Sequence, residues 1–415
     1  MTLLHDPMPA PPIDMRDPAF RDDPHPLLRT LRERGRVARD VLGIWLVTHH
    51  ADNSSGLRSN QLSREVWRSP GYAQLRPFIK DSTLERTTER WMLLNDPPTH
   101  TRLRRLVNGA FRPPVVAALR ERIGNITDAL LSALPAQGEF DLMSTLAQPL
   151  PVRVICDVLG LPADDFAQTK QWSDALALIV EPVVRREQRL AADRAAVDMV
   201  AYLRDHIARH RASGEREDLL GLLIAAHDEG VDTLSEDELL GNLILLFIAG
   251  HETTTNLIGN GMLSLLRHPG ELQRLREQPA LMPSAVDEML RFESSVNMVP
   301  RHTVAPYTIG DTVIPADQTV FFMTGAANRD PSVFADPDRF DIARSPNPHL
   351  AFGAGIHYCL GAPLARLEAE VAFGRLLQRH PRLSLLDPAP RWRSLINLRG
   401  LEALALRRSP SVTVA

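Results

Sequence analysis

Cysteine is scarce in this chain, where only Cys156 and Cys359 occur among 415 residues. Two thiols so far apart do not make a disulfide framework, and they cannot supply the four ligands of an iron–sulfur cluster. A net charge of −4 leaves no cationic surplus, so nucleic acid is not expected as a partner. These absences are typical of a globular protein in a reducing compartment, and we expect a cytoplasmic location.

Long apolar segments and nucleotide-binding motifs are also missing. The longest strongly apolar stretch, from Leu239 to Gly250, is too short to span a bilayer, which predicts a buried helix and no membrane anchor. The proline-rich start lacks the pattern of a signal peptide, so residues 1–15 are predicted to form an extended arm. No G-x-G-x-x-G follows a strand and no G-x-x-x-x-G-K-[ST] occurs, so any electrons must come from another protein.

Hydrophobic periodicity divides the chain into a helical part and a strand-rich part. Helices are predicted over Val115–Leu134, Met199–Arg211, Leu220–His227 and Glu236–Leu266. Strands are predicted over Val41–Thr48, in a hairpin of Tyr307–Ile314 and Gln318–Met323 around Pro315-Ala316-Asp317, and between Leu383 and Leu406. The fold class is therefore mainly α (α+β), with a large helical lobe and a small β-rich lobe. Because the strands come from both ends of the chain, no linker divides the two lobes.

The most informative segment is Phe352-Gly-Ala-Gly-Ile-His-Tyr-Cys-Leu-Gly-Ala-Pro-Leu-Ala-Arg366. Gly353 and Gly355 allow the backbone to approach a flat ligand closely. Cys359 comes just before Gly361, where a helical run begins, and a thiolate is favoured near a helix N-terminus. A lone cysteine is more often a small buried hydrophobe, and a nucleophile paired with His357 is a second alternative. Neither alternative requires the flanking glycines, phenylalanine and arginine together.

This segment resembles the haem-binding signature of cytochromes P-450, F-G-x-G-x-H-x-C-x-G-x-x-L-A-R, at every specified position. The resemblance implies haem b as cofactor, with Cys359 as the proximal ligand of its iron and Phe352, Gly353 and Gly361 around the ring. It also implies the cytochrome P-450 fold, with the haem enclosed by the helical and β-rich lobes. Residues 1–415 would form one catalytic domain without a fused reductase or ferredoxin domain.

Two further motifs are in the order that the resemblance requires. Glu288-Met-Leu-Arg291 matches E-x-x-R, and the resemblance implies that this pair braces the cysteine loop with Arg339 nearby. In Asp96-Pro97-Pro98-Thr99-His100-Thr101-Arg102-Leu103-Arg104, Asp96 is predicted to cap a helix on which His100 and Arg104 share one face. The resemblance implies that His100, Arg104, Arg301 and His357 hold the haem propionates.

Ala249-Gly250-His251-Glu252-Thr253-Thr254 breaks a local rule, because a glycine and polar residues interrupt a long apolar helix. A kinked helix with satisfied polar groups is one interpretation. The stretch also resembles the family's A-G-x-[DE]-T-[TS], which implies that Ala249 contacts the haem, Thr253 bonds to dioxygen or its water and Glu252 relays protons. His251 occupies the variable position and is expected to be a satisfied polar residue rather than a ligand.

The function that the resemblance implies is insertion of one atom of O2 into a lipophilic small molecule, by hydroxylation or epoxidation. Electrons would come from NAD(P)H through a separate ferredoxin or flavodoxin and its reductase. A cationic patch of Arg102, Arg104, Arg105 and Arg112 with Arg366 would attract such an acidic partner, or it is merely a soluble surface.

By family position, the residues expected to face the substrate are Leu243, Leu246, Val296, Asn297, Asn397 and Leu398, with Asn297 as a polar anchor. Residues 52–90 resemble no subfamily, so the substrate stays open. Three alternatives to the monooxygenase are an H2O2-dependent peroxygenase, a non-catalytic haem protein for electron transfer or gas sensing, and a helical interaction module without haem. Glu252 and Thr253 argue against the peroxygenase.

Overall fold

The computed structural model describes residues 13–69, 71–73, 76, 80–135, 137–162, 165–214, 219–228 and 234–408. Most of the predicted N-terminal arm lies outside these residues. At its described end, Ile13 forms a parallel bridge to Asp40, and both Ile13 and Met15 are buried. The described end of the arm is therefore packed against the body of the protein.

Helices make up most of the described chain. In chain order they are α1 (Pro18–Asp22), α2 (His25–Arg34), α3 (His50–Arg58), α4 (Thr83–Thr88), α5 (Thr99–Asn108), α6 (Pro113–Ala118), α7 (Arg120–Ser132), α8 (Pro149–Val158), α9 (Phe166–Ala177), α10 (Arg186–Ser213), α11 (Leu219–Asp228), α12 (Glu236–Arg267), α13 (Pro269–Glu277), α14 (Met282–Phe292), α15 (Thr324–Ala327) and α16 (Ala362–Arg379). No helix of the described residues is long and apolar enough to cross a membrane.

Helix α12 runs through the centre of the helical lobe and confirms the predicted helix over Glu236–Leu266. A capping box of Ser235 and Glu238 starts it, and Pro269 follows shortly after its end. Nearly all of its residues between Glu238 and Leu265 are buried, against α8, α9, α14 and α16. A helix that is mostly apolar around its whole circumference is stable only when neighbouring elements cover it on all sides. Helix α12 therefore belongs to the core of the helical lobe.

The other predicted helices also form, with different bounds. The segment Val115–Leu134 is divided at Leu119 between α6 and α7, although no glycine or proline at that position signals a break. Met199–Arg211 is only the C-terminal half of α10, because the polar first turns of that helix have weak apolar periodicity.

The strands form three small sheets. They are β1 (Val37–Arg39), β2 (Trp45–Val47), β3 (Leu62–Ser63), β4 (Gly138–Asp141), β5 (Val299–Thr303), β6 (Tyr307–Ile309), β7 (Thr312–Ile314), β8 (Thr319–Phe322), β9 (Leu383–Leu385) and β10 (Ala405–Arg408). The largest sheet has the order β1-β2-β8-β5-β3, in which only β2 and β8 are parallel. A second sheet has the order β4-β10-β9 and includes a strand from the middle of the chain that was not predicted.

The predicted hairpin around Pro315-Ala316-Asp317 is wrong. The turn lies instead at Gly310-Asp311, where β6 pairs with β7 and Gly310 has a φ of +58°. Strand β8 leaves this hairpin and joins the five-stranded sheet between β2 and β5. The fold class is nevertheless confirmed, because a large helical core and a smaller β-rich lobe with its own buried clusters are present.

Candidate active site

The loop that carries Cys359 is tightly constrained. Gly353 and Gly355 have φ values of +69° and +73°, and a Cβ atom on Gly355 would lie 2.6 Å from the Leu57 carbonyl oxygen. The Cys359 N–H donates to the Phe352 carbonyl oxygen at 3.0 Å, which closes the loop just before α16. Burial raises the pKa of the Cys359 thiol, while the N–H groups of Gly361 and Ala362 oppose that rise.

A cavity of about 790 Å³ opens beside Cys359. It is lined by every residue that the sequence assigned to the haem, namely His100, Arg104, Ala249, Arg301, Phe352, Gly353, His357, Cys359 and Gly361. The remaining lining is mostly apolar and includes Leu245, Leu246, Val296 and Leu398. The fold thus gathers segments that are far apart in sequence around one apolar chamber.

Four predicted cations lie together on the rim of this cavity. The rings of His100 and His357 are 4.2 Å apart, and the guanidinium groups of Arg104 and Arg301 donate to the carbonyl oxygens of Tyr358 and Pro300, at 2.8 and 3.0 Å. Burial lowers the pKa of His100 to about 4 and also lowers that of His357. Within the described chain, His100 Nδ1 and His357 Nε2 have no hydrogen-bond partner.

Arg64 belongs to the same cationic group and was missed by the sequence analysis. Its guanidinium donates to the carbonyl oxygens of Leu93 and Pro300 at 3.1 and 2.7 Å, and burial lowers its pKa to about 10. It lies in the segment 52–90, which resembles no subfamily, so nothing in the sequence could have singled it out.

The prediction that Asp96 caps a helix is wrong. Helix α5 begins at Thr99 without a side-chain cap, and the Asp96 carboxylate instead accepts hydrogen bonds from the Ser63 hydroxyl and, at 2.9 Å, from the Arg64 backbone N–H. Asp96 therefore holds the chain at Arg64 beside the cationic rim. Its negative charge partly balances the positive charge of the rim side chains. It raises the pKa values of His100 and Arg64, against the larger effect of burial, which lowers them.

On α12, Ala249, Glu252 and Thr253 line the same cavity. Thr253 Oγ1 donates to the Ala249 carbonyl oxygen at 3.0 Å, and the Ser295 hydroxyl donates to the Thr253 carbonyl oxygen at 2.8 Å. The Glu252 carboxylate accepts from Arg393 at 2.7 Å, and its side chain is only 6% exposed. Arg393 comes from the C-terminal segment and was not predicted, because no motif marks it.

His251 satisfies only one of its two ring nitrogens, which corrects the expectation of a satisfied polar residue. Its Nδ1 lies 3.0 Å from the Phe247 carbonyl oxygen. Its Nε2 lies 3.7 Å from Asp174 Oδ1 and 3.8 Å from Glu252 Oε1, and it has no hydrogen bond from the described residues. The buried His251 ring therefore lies between the Glu252 carboxylate and the Asp174 carboxylate, and the Asp174 side chain is 39% exposed.

The predicted substrate residues divide into two groups. Leu246, Val296, Asn397 and Leu398 line the cavity. Leu243 and Asn297 do not, which corrects the prediction for these two. Leu243 is buried in the helical core, and the Asn297 side chain faces Gly325, where an added Cβ would lie 2.9 Å from its oxygen. Asn297 is therefore unsuited to anchor a ligand in the cavity.

The bracing pair has the predicted form, with one change. Glu288 and Arg291 are fully buried and are joined by two hydrogen bonds of 2.7 and 2.8 Å. Arg339 contributes only its carbonyl oxygen, which accepts from Arg291 at 3.1 Å, while Arg344 pairs with Glu288 at 3.2 Å. Arg339 thus lies near the pair as predicted, although its side chain is exposed and the second charge on Glu288 comes from Arg344.

Two members of the predicted cationic patch are paired with carboxylates. Arg102 pairs with Glu238, and Arg366 donates to Asp287 at 2.7 Å and stacks on Phe352 at 4.6 Å. Arg104 faces the cavity rather than solvent alone. Two of the five arginines are thus paired with carboxylates, and the attraction of an acidic partner by the patch stays a prediction.

This arrangement fits a haem. An apolar chamber offers one thiol from a loop with no room for a side chain at Gly355. Its rim holds arginines that can pair with two propionates and histidines with unpartnered ring nitrogens that can hydrogen-bond to them. The polar side chains of Glu252 and Thr253, on α12, line the same chamber. Fold and site together define a haem-thiolate protein.

Comparison with known proteins identifies the family. Residues 36–382 match the cytochrome P-450 family, so the chain belongs to it. Cytochrome P-450 107B1 of Saccharopolyspora erythraea is 42% identical, over 94% of this chain and 96% of that protein. The vitamin D(3) 25-hydroxylase of Pseudonocardia autotrophica is 39% identical, over 96% of each chain. The crystal structure of myxobacterial CYP267B1 with myristic acid has a TM-score of 0.88 at 37% identity, over 96% of this chain and 99% of that one. The chain is a cytochrome P-450 monooxygenase, and its cofactor is haem b.

Proposed function

We propose that this protein inserts one atom of O2 into a C–H or C=C bond of a lipophilic small molecule. The observation that carries the proposal is that Cys359, Glu252 and Thr253 all line one predominantly apolar cavity of about 790 Å³. A chamber of this size and lining suits an apolar ligand. The relatives support the substrate class, because one is named as a vitamin D(3) hydroxylase and another binds myristic acid.

The haem-binding roles follow from the lining. Cys359 would ligate the iron, while Phe352, Gly353, Gly361 and Ala249 would contact the ring. Arg64, Arg104 and Arg301 would pair with the propionates, and His100 and His357 would hydrogen-bond to them, because a buried carboxylate is costly unless it is paired and hydrogen-bonded. When bound, the haem supplies the activation of dioxygen that makes oxygen insertion possible.

Glu252 and Thr253 would deliver protons to the chamber. Thr253 already donates its hydroxyl hydrogen to the Ala249 carbonyl oxygen, which leaves its oxygen available as an acceptor. Glu252 is held in place by Arg393, with its second oxygen toward His251 and Asp174. A proton taken up at the partly exposed Asp174 has a short path of polar groups to Glu252.

Electrons would come from NAD(P)H through a separate ferredoxin or flavodoxin with its reductase. Residues 1–415 would act as one catalytic domain.

The test compares product formation with NAD(P)H and a surrogate ferredoxin system against product formation with H2O2 alone, on a panel of lipophilic compounds. We expect oxygenated product with the ferredoxin system. Product with H2O2 only would instead establish a peroxygenase, and no product in either case would point to a non-catalytic haem protein.

A further inference from the structure

Of the four carboxyl groups that line the cavity, three have hydrogen-bond or ion-pair partners among the described residues. Glu85 accepts from the Tyr72 hydroxyl and the Asp81 N–H, both at 2.9 Å, and lies 3.8 Å from Arg76. Glu181 accepts from three backbone N–H groups, those of Ile396, Asn397 and Leu398. Glu252 pairs with Arg393, as described above. Glu368 is almost fully buried, burial raises its pKa well above the usual range, and its Oε2 has no hydrogen-bond partner among the described residues.

The arginines that line the cavity differ in whether their guanidinium groups have hydrogen-bond partners. Arg64, Arg104 and Arg301 lie near His357 and donate to carbonyl oxygens. Arg189, on α10, is half-buried in the same lining, yet its guanidinium has no hydrogen bond or ion pair with any described residue. Its neighbour one turn on, Asp193, accepts instead from the Leu84 N–H at 2.9 Å.

No carboxylate of the described residues forms an ion pair with Arg189. Burial lowers its pKa, and Tyr72 is the group that opposes this effect. The Tyr72 hydroxyl hydrogen, however, is already donated to Glu85. A half-buried cation without a partner is desolvated at a cost, and an anion brought by a ligand offsets that cost. The rest of the nearby lining is apolar, including Leu84, Ile179 and Val184.

We propose that the substrate carries an anionic group, a carboxylate or a phosphate, that pairs with Arg189 while its apolar part fills the cavity towards Thr253. This inference rests on the proposed function for the role of the bound molecule as substrate. It makes Arg189 a specificity-determining residue that separates acids from neutral molecules of the same shape.

The test measures dissociation constants by equilibrium dialysis and by the Soret shift of the haem protein. The probes are hexadecanoate, hexadecyl phosphate, methyl hexadecanoate and hexadecylammonium. We expect the wild type to bind at least one anionic probe about tenfold more tightly than the methyl ester. Arg189→Gln should abolish this preference with the affinity for the ester unchanged, and Arg189→Glu should shift the preference to the ammonium probe.

The matched control is Arg194→Gln, which removes the same charge from the exposed face of the same helix, outside the cavity lining. It should bind all four probes as the wild type does. An equal preference in the wild type and in Arg189→Gln would overturn the inference, as would a wild type that binds neither anion more tightly than the ester. Because binding is read without turnover, a protein that shows the preference but forms no product would contradict only the proposed function.

Discussion

At Gly355 the loop that carries Cys359 passes directly against α3. The φ of +73° and the distance of only 2.6 Å between an added Cβ and the Leu57 carbonyl oxygen are two separate reasons for glycine at this position. Leu57 and Cys359 both line the cavity, so the loop carries the thiol to the cavity along the surface of α3. The residue therefore links the packing of the β-rich lobe to the position of the thiol.

We predict that Gly355→Ala destabilises the protein by about 3 kcal/mol, since left-handed strain and a clash with backbone add together. Gly43→Ala is the control, because Gly43 has a similar φ of +78° but nothing within 4 Å of its Cβ position. It should cost only about 1 kcal/mol. Denaturant unfolding measures both values, and equal losses would show that the contact with Leu57 does not matter.

Glu252 provides a second prediction at the scale of the residue. Glu252→Gln keeps the shape and removes the exchangeable proton, so NAD(P)H-driven product formation should slow by on the order of a hundredfold. Peroxide release should rise in its place. Turnover supplied with H2O2 is the control, since it does not require the same proton delivery and should change little. Wild-type coupling of NAD(P)H to product in the variant would remove Glu252 from the proton path.

Among the elements, a buried charge cluster joins the start of α2, the residue after α14 and the C-terminal segment. Glu293 binds His25 at 3.2 Å and also pairs with Arg399, whose guanidinium lies 3.5 Å over Trp392. Burial would raise the pKa of Glu293, but Arg399 and His25 outweigh it and hold that pKa well below the usual range. A lowered pKa contributes stability above the unfolded-state value, near 4.3, and the contribution is lost as the pH falls below it.

We predict that Glu293→Gln costs about 3 kcal/mol of unfolding free energy at pH 7, because it leaves Arg399 buried without its partner. The difference from the wild type should shrink as the pH falls below about 4, because the unfolded wild-type chain then takes up a proton at Glu293 that the folded state does not bind. Glu139→Gln is the control, since Glu139 and Arg407 form an exposed pair and should contribute less than about 1 kcal/mol. A pH-independent difference would contradict this account.

The sequence predicts those elements whose signals are local. The capping box and apolar periodicity predict α12, and the spaced signature predicts the loop of Cys359 and the start of α16. The strand predicted over Gln318–Met323 is confirmed as β8, but its predicted pairing is wrong because strand partners are determined by tertiary contacts. The turn lies at Gly310-Asp311 rather than at the proline that the sequence favours. Arg64, Arg393 and Arg189 have no local signal, since each acts through a partner or cavity that only the folded chain assembles.

At the scale of the whole molecule, the cationic rim joins the two lobes. Arg104 lies on α5 of the helical lobe, while Arg301 lies on β5 and Arg64 directly follows β3 in the β-rich lobe. Burial lowers the pKa of Arg301 well below its usual value, and the nearby Arg64 lowers it further. When no propionates are bound, these cations repel one another across the junction between the lobes. The Asp96 carboxylate partly counters this repulsion, since it raises the pKa values of both Arg64 and Arg301.

We therefore predict that removal of haem destabilises the protein in a salt-dependent way. Added NaCl screens the repulsion in the haem-free form, so its Tm should rise with salt, while the Tm of the haem-bound form should stay nearly constant. Arg301→Gln should reduce the salt dependence of the haem-free form, because it removes one of the clustered charges. Arg407→Gln, at an exposed ion pair far along the chain, should leave it unchanged. If the Tm of the haem-free and haem-bound forms changed equally with NaCl concentration, the charges of the rim cations would already be balanced by other groups of the protein, without the propionates.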